Sequence, residues 1–201
     1  HKKNPFIVME HCQNLTLKNL LIKNKESPIK EWTYTKQLIV LYGIASAMNY
    51  LHSHDIGFGL LNTQNILLDD KFYPKILCDK RINESFDIPQ LSEYELKFLA
   101  PEILREDYLT DMKASDVYSF GIIAFCIATN KEYFEEKKNI YKLITLITSG
   151  LRPDISESVP DLISALIYSC WENSIENRPS FDQIVQVFDS NLADENNVTN
   201  E

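Results

Sequence analysis

Residues 116–130 read DVYSFGIIAFCIATN, and apolar side chains occupy almost every position of the helical turns that this stretch would form. A helix that is apolar on all sides has to be buried on all sides. Its longest apolar run, Phe120 to Ala128, is far shorter than the roughly 20 residues that cross a bilayer. The stretch therefore predicts a helix at the centre of a protein core.

The residues before this helix predict two helices and a little β structure. Residues 14–23 and 34–51 place apolar side chains at helical spacing, and Thr33 is the expected N-cap of the second helix. Residues 5–10 and 65–77 are rich in β-forming residues, and the second range contains two short runs around a turn. The fold class that follows is mainly α (α+β), with the β structure near the start.

Three more helices are expected after the central one. Residues 140–150 end at Gly150, a favourable residue just beyond a helix C-terminus, and residues 159–171 have Pro160 near their first turn. The last helix begins at SFDQ, residues 180–183, which has the pattern of a capping box. The polar, acidic residues 191–201 predict a disordered tail.

Composition and charge restrict the class of partner. The chain has 201 residues and 44% hydrophobic composition, which suit one domain. Its net charge of −9 argues against nucleic acid or an anionic membrane and leaves proteins as the expected partners. The four cysteines lie far apart without a C-x-x-C pair, so we expect reduced thiols and a cytoplasmic protein. Because the chain begins with His1, we expect a piece of a longer protein or a processed product.

A family resemblance rests on several motifs in a fixed order. They are YLHSHDI, NILLDD, YPKIL, APEIL, SDVYSFGIIAF, GLRPDI and CWENSIENRPSF. Together they resemble the C-terminal lobe of a eukaryotic protein kinase of the tyrosine-kinase-like group. The resemblance covers residues 5–190 and implies helices around a buried central helix, together with the hinge and the last strand of the N-terminal lobe. Most of that smaller lobe, which roofs the ATP cleft, would precede residue 5.

The resemblance places the catalytic loop at residues 58–65, where the chemistry-bearing residues differ from the family pattern. The family loop is H-R-D-x-x-x-x-N, in which the Asp accepts the substrate proton and the Asn holds a metal ion. Counted back from Asn65, the first three positions are Phe58, Gly59 and Leu60. Leu60 cannot accept a proton. Asn62 stands where the family has a Lys that neutralises phosphate charge.

The metal-binding positions are also replaced. The Asp of the family's D-F-G motif follows the loop Asn by thirteen residues, which here is Cys78, and a thiol is a poor ligand for Mg²⁺. The neighbouring Asp79 could replace it only through a one-residue slip in a strand. Asn65 is either a surviving metal ligand or a loop amide that binds local backbone.

The hinge is the remaining nucleotide contact that the resemblance implies. Met9 would be the gatekeeper residue, and Glu10, His11 and Cys12 would offer backbone groups to adenine. The Gly-rich loop and the strand Lys of the family would precede residue 5. We therefore expect ATP to bind weakly or not at all, and we expect neither Mg²⁺ nor another cofactor to be required.

Three residues that shape the family fold are retained. Glu102 of the APE motif and Arg178 of the RPS motif would form a buried ion pair. Asp116 would hold the backbone N–H groups of the catalytic loop, or it could be a simple N-cap.

Four further expectations concern the loop and the segment that follows it. We expect Gly57 and Gly59 to relax a loop that no longer needs catalytic geometry, and Leu60, Leu61 and Leu67 to add to an exposed apolar patch. His52 is expected to have a capping or packing role. Tyr94, Ser85 and Ser92 could be phosphorylated, but Gly59 replaces the Arg that would bind such a phosphate.

These replacements predict a pseudokinase, a catalytically inactive kinase-like domain that acts as a signalling scaffold or binding module. Residues that touch phosphate or metal are replaced together, whereas residues that shape the fold are kept. Two alternatives stay open: an active ATP-dependent Ser/Thr kinase with displaced residues such as Asp79, and a non-functional kinase fragment.

Overall fold

The computed structural model describes residues 16–77, 91–105, 111–134 and 139–198, with side chains described up to residue 191. Several sequence predictions lie outside these ranges. They are the strand at residues 5–10, the hinge residues Met9, Glu10, His11 and Cys12, the metal position Cys78 with its neighbour Asp79, and Ser85.

The first part of the described chain contains two helices and one β-hairpin. Helix α1 spans Leu17–Glu26 and helix α2 spans Tyr34–Ser53, and each begins after a threonine that accepts a backbone N–H bond. The predicted Thr33 cap is thus confirmed, whereas α1 begins three residues later than expected because Thr16 caps it. Strands β1 (Ile66–Leu68) and β2 (Pro74–Ile76) pair antiparallel, which confirms the two β runs.

The second part is helical. The helices are α3 (Glu93–Leu96), α4 (Pro101–Leu104), α5 (Met112–Thr129), α6 (Ile140–Thr148), α7 (Asp161–Cys170) and α8 (Phe181–Val198), with one turn of 3₁₀ helix at Ile175–Asn177 between the last two. The described residues therefore form a mainly helical unit with one small sheet, which agrees with the predicted fold class.

Helix α5 is the central helix that the sequence predicts. Every residue from Ser115 to Ile127 is buried. Its length and composition would also suit a membrane span, but 72% of the helix is buried inside the protein, as in the core helix of a globular domain. Gly121 lets α5 approach α7 closely, since a Cβ there would lie 2.8 Å from the Cβ of Cys170.

Two predictions about helix ends need correction. Pro160 is the N-cap of α7 and the helix begins at Asp161, one residue later than expected. The predicted disordered tail is wrong for residues 191–198, because α8 continues to Val198. The Ser180–Gln183 capping box is present in both directions, and no Gly or Pro interrupts the residues after it. Residues 199–201 lie outside the described ranges.

Candidate functional site

Loop 57–65, which follows α2, contains the positions that match the family's catalytic loop. Two glycines set its path. A Cβ on Gly57 would lie 2.7 Å from the Cγ of Met112 at the start of α5, and Gly59 has a φ of 82°. The left-handed region favours glycine because it lacks a Cβ. The interpretation that these glycines relax the loop is therefore wrong, because each occupies a position that the surrounding structure restricts.

The carboxylate of Asp116 anchors this loop. Its Oδ2 accepts the N–H of Phe58 at 2.7 Å, and its Oδ1 accepts the N–H of Gly59 at 2.6 Å. The Nε2 of His52 lies 3.0 Å from Oδ2, and the Asp116 side chain is completely buried. Asp116 thus holds the loop backbone, and the N-cap of α5 is Asp111 instead.

His52 contacts Asp116 through its ring nitrogen, and its ring packs edge-on against Phe181 with centroids 5.0 Å apart. The sequence prediction of a packing role for His52 is confirmed. The sequence did not identify Asp116 as the partner of His52, because 64 positions separate the two residues and no local pattern links them.

Leu60, at the proton-acceptor position, is buried with only 6% of its surface exposed, and Leu61 is fully buried. The expectation that these two residues add to an exposed apolar patch is therefore wrong, and the third residue of the predicted patch, Leu67, is half-buried. The Leu60 carbonyl accepts hydrogen bonds from the side-chain amides of Asn62, at 2.9 Å, and Asn65, at 2.6 Å. The loop is closed around the Leu60 backbone.

Asn65 has both ends of its amide engaged with the loop backbone. Its Nδ2 donates to the Leu60 carbonyl, and its Oδ1 accepts the N–H of Asn62 at 3.0 Å. Asn65 was expected to be either a metal ligand or a loop amide that binds local backbone. In the structure its amide makes the local backbone contacts. In the described ranges, no group of three or more His, Cys, Asp or Glu side chains could hold a metal ion.

Glu102 and Arg178 form the buried ion pair that the resemblance implies. The guanidinium donates from Nη1 to Oε1 at 2.6 Å and from Nη2 to Oε2 at 2.9 Å. The same side chain donates to the carbonyls of Glu172 and Ala114, at 2.8 and 3.0 Å. Since only 5% of Glu102 and 8% of Arg178 is exposed, the pair ties α4 to the turn before α8 inside the protein.

A second group of contacts was not predicted from the sequence. The hydroxyl of Tyr94 in α3 lies 2.5 Å from the hydroxyl of Thr63 in loop 57–65. The ammonium group of Lys18 in α1 lies 3.5 Å from the centroid of the Tyr94 ring. These residues come from three separate parts of the chain and carry no motif, so no local signal could have identified them. Ser92, also considered for phosphorylation, is the exposed N-cap of α3 and forms a capping box with Glu95.

Comparison with known proteins identifies the family. The family model for protein tyrosine and serine/threonine kinases matches residues 1–188 of this chain. The helical fold, the buried ion pair and the anchored loop 57–65 are in keeping with that match. The chain belongs to the protein kinase family.

The similar proteins include both kinases and a kinase named as inactive. A probable serine/threonine-protein kinase of Dictyostelium discoideum is 33% identical over 192 residues, which are 92% of this chain and 11% of that protein. Human receptor-interacting serine/threonine-protein kinase 1 is 31% identical over 201 residues, or 90% of this chain and 29% of that protein. A probable inactive serine/threonine-protein kinase of Dictyostelium discoideum is 32% identical over 149 residues, or 74% of this chain and 8% of that protein. The chain therefore spans less than a third of the length of each of these three relatives.

Proposed function

We propose that this chain is a pseudokinase domain, which keeps the protein-kinase fold, binds other proteins as a signalling scaffold and transfers no phosphate. The observation that carries this proposal is the burial of the Leu60 side chain and the hydrogen bonding of its carbonyl. At the position of the catalytic base, the chain has a buried hydrocarbon side chain, and the backbone carbonyl of the same residue is held by two side-chain amides.

The replaced residues would each lower the rate of phosphotransfer. Loss of a general base typically costs about 10²–10⁴ in rate. Asn62 in place of the family's Lys leaves phosphate charge without compensation at that position, and Cys78 replaces the metal-binding Asp. These losses affect different parts of the transition state, so together they support an absence of measurable phosphotransfer.

The described loop also fits a Mg²⁺–nucleotide complex poorly. The one amide oxygen at a metal-ligand position, Asn65 Oδ1, already accepts a backbone N–H. Mg²⁺ prefers charged or water oxygens in octahedral geometry and dehydrates reluctantly. We therefore propose that neither ATP nor Mg²⁺ is required for function. The negative net charge supports protein partners rather than nucleic acid or a membrane, and the widely spaced cysteines without a C-x-x-C pair support a location in the cytoplasm.

The alternative is an active Ser/Thr kinase that uses Asp79 as a displaced metal ligand. Two observations favour it: Asp79 is adjacent to the expected position, and several similar proteins are named as serine/threonine-protein kinases. The active-kinase alternative leaves the proton-acceptor position without a carboxylate. The pseudokinase proposal is therefore the stronger of the two. A non-functional fragment is a third reading, and it would lack the cooperative unfolding of a complete domain.

Phosphotransfer by the full-length protein tests the proposal. We would incubate it with [γ-³²P]ATP, Mg²⁺ or Mn²⁺ and a generic basic protein substrate, together with the variants Asp79→Ala and Asp70→Ala. We expect incorporation at the level of a reaction without protein in all three cases. Asp70 is an exposed carboxylate nearby in sequence and serves as the matched control. Metal-dependent incorporation that Asp79→Ala abolishes and Asp70→Ala preserves would establish the active-kinase alternative.

A further inference from the structure

Lys18, Thr63 and Tyr94 form a closed set of contacts between three segments of the chain. The Tyr94 and Thr63 hydroxyls are 2.5 Å apart, and the Lys18 backbone N–H donates to the Thr63 carbonyl at 2.9 Å. The Lys18 ammonium group lies over the Tyr94 ring, 3.5 Å from its centroid. Each residue therefore contacts the other two, and α1, loop 57–65 and α3 are joined at one point.

Burial strengthens these contacts. Thr63 is only 1% exposed. Burial raises the pKa of Tyr94 far above its usual value, so the phenol stays neutral. A hydrogen bond that is shielded from water leaves a costly unpaired group when it is broken. A cation over an aromatic ring is attracted by the negative face of the ring, and the attraction is stronger where water is excluded.

The same three residues form one wall of a cavity of about 450 Å³. The cavity lies between α1 and the C-terminal end of α5, and Leu21 and Cys126 are also among its lining residues. Cys126 is almost completely buried, with 4% of its surface exposed. Access to this thiol therefore depends on how the cavity walls are held together.

The segment that carries Tyr94 is held differently at its two ends. Towards its C-terminal end, the Ser119 hydroxyl donates to the Phe98 carbonyl, and Glu102 is fixed by Arg178. Towards its N-terminal end lies α3, which has only four residues and whose capping box joins residues of the same turn. The Tyr94 hydroxyl provides a hydrogen bond from α3 to loop 57–65. Leu96 is buried, and just beyond α3 the Lys97 ammonium group pairs with Glu132 at 3.4 Å.

We propose that Tyr94 is a releasable latch, which holds residues 91–97 against loop 57–65 and α1 and thereby shields the Cys126 thiol in the wall of this open cavity. In the latched state, which the structure shows, the segment and the loop behave as one unit. In the released state, α3 moves away and the Cys126 thiol becomes accessible from the cavity. The latch goes beyond the proposed pseudokinase function and does not depend on whether the protein transfers phosphate.

Alkylation of Cys126 by N-ethylmaleimide tests the latch in the full-length protein. The rate would be measured by peptide mass spectrometry for the native protein and for Tyr94→Phe and Thr63→Val, each of which removes one hydroxyl of the bond. Loss of one hydrogen bond should raise the open population and the Cys126 rate about three- to tenfold. Cys170 is an internal reference, because it is a second buried thiol whose pKa burial also raises to about 12.

The controls separate release of the latch from general destabilisation. Tyr141→Phe removes the hydroxyl of a tyrosine that is 79% exposed, and we expect it to leave both rates unchanged. Tyr94→Phe combined with Thr63→Val should react no faster than the faster single variant, because both changes break the same bond. An unchanged Cys126 rate, an equal rise at Cys170, or multiplying effects in the double variant would each overturn the proposal.

Discussion

The Arg178 side chain makes four hydrogen bonds inside the protein, two of them to Glu102. Removal of one partner of a buried ion pair leaves the other charge without compensation and costs about 3–5 kcal/mol. We therefore expect Arg178→Ala to lower the free energy of unfolding in urea by about this amount, which approaches the whole stability of a marginal domain.

Lys142→Ala is the matched control, because Lys142 is a cation on the exposed side of α6. Surface substitutions of this kind usually change stability by less than about 0.5 kcal/mol. If the two variants had equal and small effects, the ion pair would not hold the protein together.

Gly59 is held at a φ of 82° while its N–H donates to Asp116. A β-branched residue in this region is strained, whereas Asn tolerates it several-fold better. We expect Gly59→Val to destabilise the protein by about 1–3 kcal/mol more than Gly59→Asn, measured as the difference in urea unfolding. Equal losses in the two variants would show that side-chain size, rather than backbone conformation, restricts this position.

The sequence predicts some of these residue contacts and misses others for a physical reason. Glu102, Asp116 and Arg178 could be found because each belongs to a motif with a fixed place in the family. The burial of Leu60 could not, because a leucine is buried or exposed according to neighbours that a one-dimensional pattern does not contain. The contact between Tyr94 and Thr63 was missed for the same reason.

At the scale of helices, the Ser180–Gln183 capping box begins α8. Ser180 Oγ accepts the N–H of Gln183 at 3.2 Å, and the Gln183 side chain accepts the N–H of Ser180 at 2.8 Å. We expect Ser180→Ala to lower the free energy of unfolding by about 0.5–2 kcal/mol. Ser164→Ala in α7 is the control, because that hydroxyl only bonds a carbonyl three residues earlier in the chain. An equal loss in Ser164→Ala would rule out a specific effect of the cap.

The long helices α2 and α5 were predicted well, whereas the short helices α3 and α4 were not. Helices α2 and α5 have 20 and 18 residues, enough turns for a periodic or continuous apolar pattern to be visible. Helices α3 and α4 have four residues each, which is about one turn, and one turn cannot display a period. The region that contains α3 therefore had no clear pattern in the sequence, although its polar contacts position Tyr94.

At the scale of the whole molecule, a thermal-shift titration with ATP tests the expectation of weak nucleotide binding. At a ligand concentration equal to the Kd, binding adds only about 0.4 kcal/mol to stability, or about 1–2 °C in Tm for a chain of this size. For the full-length protein in millimolar ATP, we expect no larger shift, and the same shift in Mg²⁺ and in EDTA. A large shift that requires Mg²⁺ would contradict the expectation.

The ion pair between Glu102 and Arg178 joins residues that are 76 positions apart, and this separation has a consequence during synthesis. A ribosome that adds about 5–20 residues per second makes Arg178 about 4–15 seconds after Glu102. Until then, the carboxylate of the nascent chain has no cation to accompany it into a core, and an unpaired buried charge is prohibitively costly. We therefore expect helix α4 to stay unpacked until Arg178 has been synthesised. Chaperones have their opportunity to bind this region in that interval, and limited proteolysis of stalled nascent chains would reveal it.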